Sequence, residues 1–185
     1  MKRPLARSKD VEQTLAAPAR DAPAEADLAF ERLYRSSRND VYAYVAGVLR
    51  DRSAAEEVTA AAFERAFRKR GRFDARRGTA RAWLFGIARN AALDELRRRR
   101  RQAELGAEPA DVAAPPMDAL AEGGARRATL IAALGGLEPR ERELVAMKFF
   151  AGLPNAEIAV VLGISESNAG TKLHRVITKL REACQ

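Results

Sequence analysis

The sequence predicts an all-α protein: two small helical domains joined by a flexible acidic linker, the second domain containing a helix-turn-helix. Three observations carry this. Apolar residues recur at three- and four-residue spacing through most of the chain, and no period-two alternation long enough for a strand occurs. Residues 102–125 interrupt that period with Pro109, Pro115, Pro116, the pair Gly123-Gly124 and five acids without one basic residue, a composition that stays extended. Finally, residues 154–165 combine a small residue, a glycine and a capping serine at the spacing of two crossed helices.

The elements follow in order. Residues 1–26 contain Pro4, Pro18 and Pro23 with mixed charge and no apolar core of a secretory signal, so they are expected to be a disordered extension. From Asp27, read as a cap, Phe30, Leu33, Tyr34, Val41, Val45, Val48 and Leu49 form one buried stripe. Ser53-Ala-Ala-Glu56 has the pattern of a capping box opening a second helix, whose stripe is Val58, Phe63, Ala66 and Phe67. Gly71 and Gly78 bracket a polar loop, and a third long helix runs from residue 79 to about 101. The first domain is therefore placed at 27–101, the linker at 102–125 and the second domain at 126–185.

Charge narrows the function. Residues 65–101 hold fourteen Arg or Lys against three acids, an excess of +11 in a chain whose total is +8. A field focused in this way suits a polyanion and makes binding salt-dependent. No lipidation signal or long apolar anchor favours acidic lipid as that polyanion. The third helix sharpens the reading: Trp83, Leu84, Ile87 and Leu93 run into five consecutive arginines, 97–101, joining faces on which unstacked bases rest to cations for the adjacent phosphates. The same stripe also fits the core side of an amphipathic helix, with the arginines a solvated tail, and spacing alone does not choose between them. The lone Cys184 permits neither an internal disulfide nor a thiolate cluster, and fits a reducing cytoplasm. Asp94 and Glu95 point to different helix faces and have no nucleophile, metal cluster or phosphate loop beside them, so no enzymatic activity, cofactor or metal is expected.

In the second domain Leu130, Ile131, Leu134 and Leu137 restore the helical period, Pro139 opens a further helix with Leu144, Val145, Met147 and Phe149, and Gly152 ends it. Ile158, Ala159 and Leu162 face inward on the next, Gly163 turns the chain, Ile164 plugs the corner and Ser165 caps a last helix with Ala169 and Leu173 inward. Ser167, Asn168, Thr171, Lys172 and Arg175 fall on that helix's exposed side, where base edges and phosphates are met. Gly170 interrupts that face, and His174, the single histidine, has no ligand companions.

These pieces in this order resemble a bacterial sigma factor of the sigma-70 family, within its small two-domain extracytoplasmic-function (ECF) group. The likeness covers about residues 27–183 and rests on 51–67, on 82–101 and on 157–180 with its Glu-Ile-Ala, Leu-Gly-Ile-Ser and Leu-His-Arg segments. It implies that the first domain binds the clamp helices of the RNA polymerase beta-prime subunit, with Asp51, Glu56, Glu57 and Phe63 in the polymerase-binding segment. Trp83, Arg89, Asn90, Asp94, Arg97 and Arg98 fall in its minus-10 and melting segment, with an extruded base held near residues 72–79. The second domain is then expected to read the minus-35 element. Two departures stand out: Gly170 where the family often has a basic residue, and Ala60 where glutamine is common in the polymerase-binding segment.

The implied partners are core RNA polymerase, through beta-prime and the beta subunit, promoter DNA, and an anti-sigma protein, with no stable membrane association and a cytoplasmic location. By the same resemblance the acidic linker threads toward the RNA-exit path. A free-standing helix-turn-helix regulator that never joins polymerase is the alternative, and it predicts specific duplex binding by the protein alone.

Overall fold

The computed structural model describes residues 22–105 and 124–184, and these are helical, with tight 3-10 turns between the second and third helices. The reading of 1–26 as a disordered extension and of 102–125 as a linker falls largely outside the described residues. Helix α1 spans Ala22–Leu49, α2 Arg52–Lys69 and α3 Ala80–Glu104, and together they form the first unit. Helix α4 spans Gly124–Gly135, α5 Pro139–Val145, α6 Asn155–Leu162 and α7 Glu166–Ala183.

Helix α1 begins earlier than Asp27, which lies inside it and pairs with Arg70 at 3.1 Å instead of capping the helix. It ends where Arg50 takes a left-handed backbone, φ 54°. The extended Asp51 follows, and its carboxylate accepts from the Ala54 amide at 3.0 Å, making Asp51 rather than Ser53 the cap of α2. Ser53 is already in the first turn, so the Ser53–Glu56 box does not form. Thr79 caps α3 by accepting from the Ala82 amide at 3.0 Å. The buried face of α3 is built from Ala80, Ala82, Leu84, Phe85, Ala88, Ala91 and Ala92, small enough at most positions for α1 and α2 to approach closely.

In the second unit Pro139 occupies the first turn of α5, and the Glu138 amide donates to Glu141 Oε2 at 2.9 Å. The helix widens into a π-turn over 146–150, placing Met147 inward and Phe149 in solvent. Gly163, at φ 67°, turns the chain between α6 and α7, and Ser165 caps α7 through the Asn168 amide. Ile158, Ala159, Ala169, Leu173 and Val176 are buried between them.

The two units are not separate in space. One hydrophobic cluster runs through both, because α1 packs on α5 and the π-turn, and α3 packs on α6. Gly47 makes the first of these contacts close: a Cβ there would stand 2.5 Å from Phe150 Cδ2, so only glycine lets the ring seat on α1. Among the described residues, no helix is long and apolar enough to cross a membrane.

Candidate nucleic-acid interface

Two 3-10 turns, Arg70–Arg72 and Ala75–Arg77, join α2 to α3, and buried Phe73 between them anchors the loop to the core. Asp74 stabilises the second turn by accepting from the Arg76 amide at 3.0 Å. Gly78, at φ 140°, then redirects the chain into the Thr79 cap. The loop and the first turns of α3 enclose an open cleft of about 380 Å³, lined by Arg72, Arg77, Trp83, Ile87 and Asn90 and roofed on one side by Val160 and Val161 of α6. Its size lies within the range of small-ligand sites. Trp83 sits with its ring centroid 5.7 Å from that of Phe73, one face on the core and the rest in the cleft. Trp83 is thus half-buried, packed on Phe73 on one side and lining the cleft on the other.

The distal half of α3 carries the arginines. Arg97 pairs with Asp94 at 3.0 Å, both on the solvent side, and the exposed Arg98 pairs at 2.7 Å with Glu95, whose carboxylate is largely buried. Arg98, and then Arg99, hold the Glu95 carboxyl below the usual carboxylate range, while hydrogen bonding to Glu95 raises Arg98 above its ordinary value. An exposed pair such as Arg97–Asp94 contributes little to stability, so a phosphate competes readily for the Arg97 guanidinium. Arg99 differs: it turns inward and donates to Asp51 Oδ2 at 2.8 Å, tying α3 to the cap of α2. The five-arginine run is therefore a solvated cationic surface with one structural member.

The polymerase-facing residues expected on α2 divide. Glu56 and Glu57 are exposed. Asp51 is engaged with the Ala54 amide and Arg99, which hold its carboxyl below the usual range. Phe63 is buried, edge-on to Tyr34 with centroids 4.8 Å apart, and does not reach solvent as an anchor. The exposed aromatic of this helix is Phe67, one turn on, with the Arg70 guanidinium 4.0 Å from its ring centroid. Sequence reading placed Phe67 in the core stripe; the 3-10 turn after Lys69 leaves that end of the helix open.

On α7, Ser167, Asn168, Thr171, Lys172 and Arg175 are all exposed. Thr171 returns its hydroxyl to the Ser167 carbonyl at 3.0 Å. Gly170 lies over α6, where a Cβ would stand 3.5 Å from Asn155 Nδ2, an ordinary contact distance. Lys179 ties α7 to α5 through Glu141 at 2.7 Å, and Lys179 with the Glu138 amide holds the Glu141 carboxyl below the usual range.

Arg89 was expected to face DNA. In the structure its Nε lies 2.7 Å from Glu143 Oε1 and its Nη2 3.3 Å from Oε2, and Tyr44 donates to the same carboxylate at 3.2 Å. Burial, and then the Glu143 carboxylate, push the Tyr44 phenol well up. Sequence reasoning missed Glu143. A signal was present: an acid at the same helical phase as Met147 and Phe150 breaks an otherwise apolar face.

Comparison with known proteins matches two family models. Residues 33–102 match the sigma-70 region 2 model and residues 127–180 the sigma-70 region 4 model. The chain is 30% identical over 182 residues to the ECF RNA polymerase sigma factor SigK of Mycobacterium ulcerans, covering 96% of this chain and 95% of SigK. It is 33% identical over 160 residues to the ECF RNA polymerase sigma factor BldN of Streptomyces coelicolor, covering 84% of this chain but only 60% of BldN. In fold it is similar to the sigma factor RpoE of Bartonella quintana, solved with the anti-sigma factor NepR, at a TM-score of 0.67 with 22% identity, covering 83% of this chain and 95% of RpoE. It is also similar to CnrH, solved with the cytosolic domain of CnrY, at a TM-score of 0.63 and 22% identity, covering 95% of this chain and 94% of CnrH. With both family models matched in order and a relative aligned nearly end to end, the chain belongs to the sigma-70 family of RNA polymerase sigma factors, in its ECF group.

Proposed function

We propose that this chain binds core RNA polymerase, directs it to promoters through a minus-10 and a minus-35 element, and promotes melting by capturing unstacked bases. The observation that supports the reading is the construction of α3: a cleft with aromatic lining at its start and exposed arginines at its end give one helix the two kinds of surface that unstacked bases and their phosphates need. Trp83 and Asn90 present a ring edge and an amide in the cleft, while Arg97 and Arg98 track the backbone. Helix α7 reads duplex through Ser167, Asn168, Thr171, Lys172 and Arg175, of which Asn168 has the donor-acceptor pair that suits adenine. Glu56 and Glu57 near the start of α2 and Phe67 near its end form the polymerase-facing surface, acids and an aromatic along one helix for a basic partner helix.

Nothing in this mechanism makes or breaks a covalent bond. Two modest DNA sites act together because polymerase and the intervening chain hold them at high local concentration. An anti-sigma protein is the expected partner in the resting cell, a reading supported by RpoE, similar in fold and solved with an anti-sigma factor.

Run-off transcription by bacterial core polymerase over a genomic promoter library tests the reading, with an Asn90→Ala, Arg97→Ala variant alongside. Start sites that require the protein and weaken at least tenfold in the variant are expected. Specific duplex binding by the protein alone, without polymerase association, would replace this reading with a free-standing regulator.

A further inference from the structure

The base-reading row of α7 leaves out the chain's one histidine, His174, which is exposed on the same helix. Building on the promoter reading of α7, we infer that His174 is a contact to the DNA backbone on the wall of the major groove and takes up a proton as the helix seats, so that promoter affinity rises as pH falls through neutrality.

Position comes first. With 3.6 residues per turn, Gly170, His174 and Arg181 share one flank of α7, beside the arc that carries Ser167, Thr171 and Thr178. A helix about 10–12 Å across fills a groove about 12 Å wide, so its flanks lie against the two sugar-phosphate strands while the arc between them meets base edges. A side chain on the flank therefore meets phosphate, and such contacts fix register without reading sequence.

The flank is equipped for that. Gly170 marks its border with α6, where an added Cβ would stand 3.5 Å from Asn155 Nδ2. Lys148 Nζ, which only donates, lies 3.0 Å from Asn155 Oδ1, so the amide is held with its nitrogen toward the Gly170 side. An amide donor, an imidazole and a guanidinium thus border one wall, and neither His174 nor Arg181 has an ion-pair partner among the described residues.

The proton follows from the phosphate. Histidine ordinarily titrates at about 6.5, so in free solution near neutrality the ring is largely uncharged, and an opposite charge against it favours the imidazolium. One proton passes from solvent to the ring on binding. The gain in affinity is full below the ordinary range and is lost as pH rises through the higher value in the complex. The charges around α7 leave this to the DNA. On α7 itself Arg175, Arg181 and Glu182 border the row, while Lys179 is held by Glu141 of α5. Glu143 of α5 holds Arg89, Arg142 donates to the Gly135 and Leu137 carbonyls, and Arg140 is exposed. Glu157 of α6 accepts from Thr79, and α4 carries no acid. No second histidine is present to give the same signal.

The test uses core polymerase loaded with the full chain, on a promoter fragment recovered by the run-off selection. His174→Gln stays neutral and keeps a donor, whereas His174→Arg stays charged. Wild type is expected to bind like the arginine variant at about pH 6 and like the glutamine variant at about pH 8, its advantage over glutamine growing about fivefold between them. Titration of polymerase itself cancels in these ratios. At the lower pH the glutamine variant is expected to show a slope of log affinity against log salt shallower by about 0.9, one phosphate on duplex DNA, and the slopes are expected to coincide at the higher pH. Selection over randomised minus-35 sequences is expected to return one preference for all three proteins, and their helical circular dichroism to match, since His174 is exposed. A ratio of wild type to glutamine that does not move with pH, while promoter binding persists, overturns the role of His174 alone. An altered sequence preference in the glutamine variant overturns the backbone assignment and makes His174 a base contact. Promoter binding that never requires the chain, at either pH, overturns the promoter reading and this inference with it.

Discussion

At the scale of single residues, two groups do more than their residue types suggest. Asp51 caps α2 and anchors Arg99, so Asp51→Ala is expected to cost about 1 kcal/mol at neutral pH, read as a lower urea midpoint. Because the Ala54 amide and then Arg99 depress its folded pKa, the contribution is full above its ordinary value near 3.8. It is lost as pH falls through the lower folded value, so the gap between wild type and variant narrows there. Tyr44 has the opposite sign. Its phenol is held protonated by burial and by Glu143, so its contribution is full below pH 10.0 and is lost as pH rises above it. In a difference titration between wild type and Tyr44→Phe, the extra phenolate absorbance is expected to be missing at pH 10 and to appear only on unfolding.

At the scale of elements, the helix-turn-helix was legible because its determinants are local: Ala159 allows the close crossing, Gly163 supplies the left-handed turn and Ser165 the cap, all within a few residues. Gly163→Ala is expected to cost about 1–2 kcal/mol, since its φ of 67° penalises a Cβ, seen as a lowered melting temperature. The cap of α2 was misread: the box pattern at Ser53–Glu56 pointed to Ser53, whereas the left-handed Arg50 is followed by an extended Asp51 whose carboxylate takes the cap position. The start of α1 was misplaced for a similar reason, because Asp27 finds its partner in Arg70, beyond the reach of any window on α1. Phe63 and Phe67 look alike in a periodic stripe. Only the packing of α1 separates the buried ring from the exposed one.

At the scale of the whole molecule, the closure of one unit on the other was not legible. Arg89 and Glu143 are 54 residues apart and Tyr44 and Glu143 are 99 apart, and no periodicity links such pairs. Charge was legible at this scale, and it leads to a prediction of its own. Each phosphate that α3 no longer neutralises is expected to lower the slope of log affinity against log salt by about 0.7 on single-stranded DNA. Arg97→Ala and Arg98→Ala should each free about one phosphate in this way, checked by anisotropy titrations at several salt concentrations. Arg99→Ala should instead lower stability, since its guanidinium is committed to Asp51 and Glu95.

On the proposed reading of α7 as the promoter-reading helix, Gly170 leaves room for a change of preference. The backbone there is helical, and an added Cβ meets Asn155 at an ordinary distance, so a side chain can be installed on α7 without disturbing α6. Removing the glycine is expected to firm α7 by up to about 1 kcal/mol, so a new DNA contact arrives together with added stability rather than at its expense. On that reading a single codon change at this position supplies a longer side chain together with the helical stability to carry it, so promoter preference can shift here without a folding penalty.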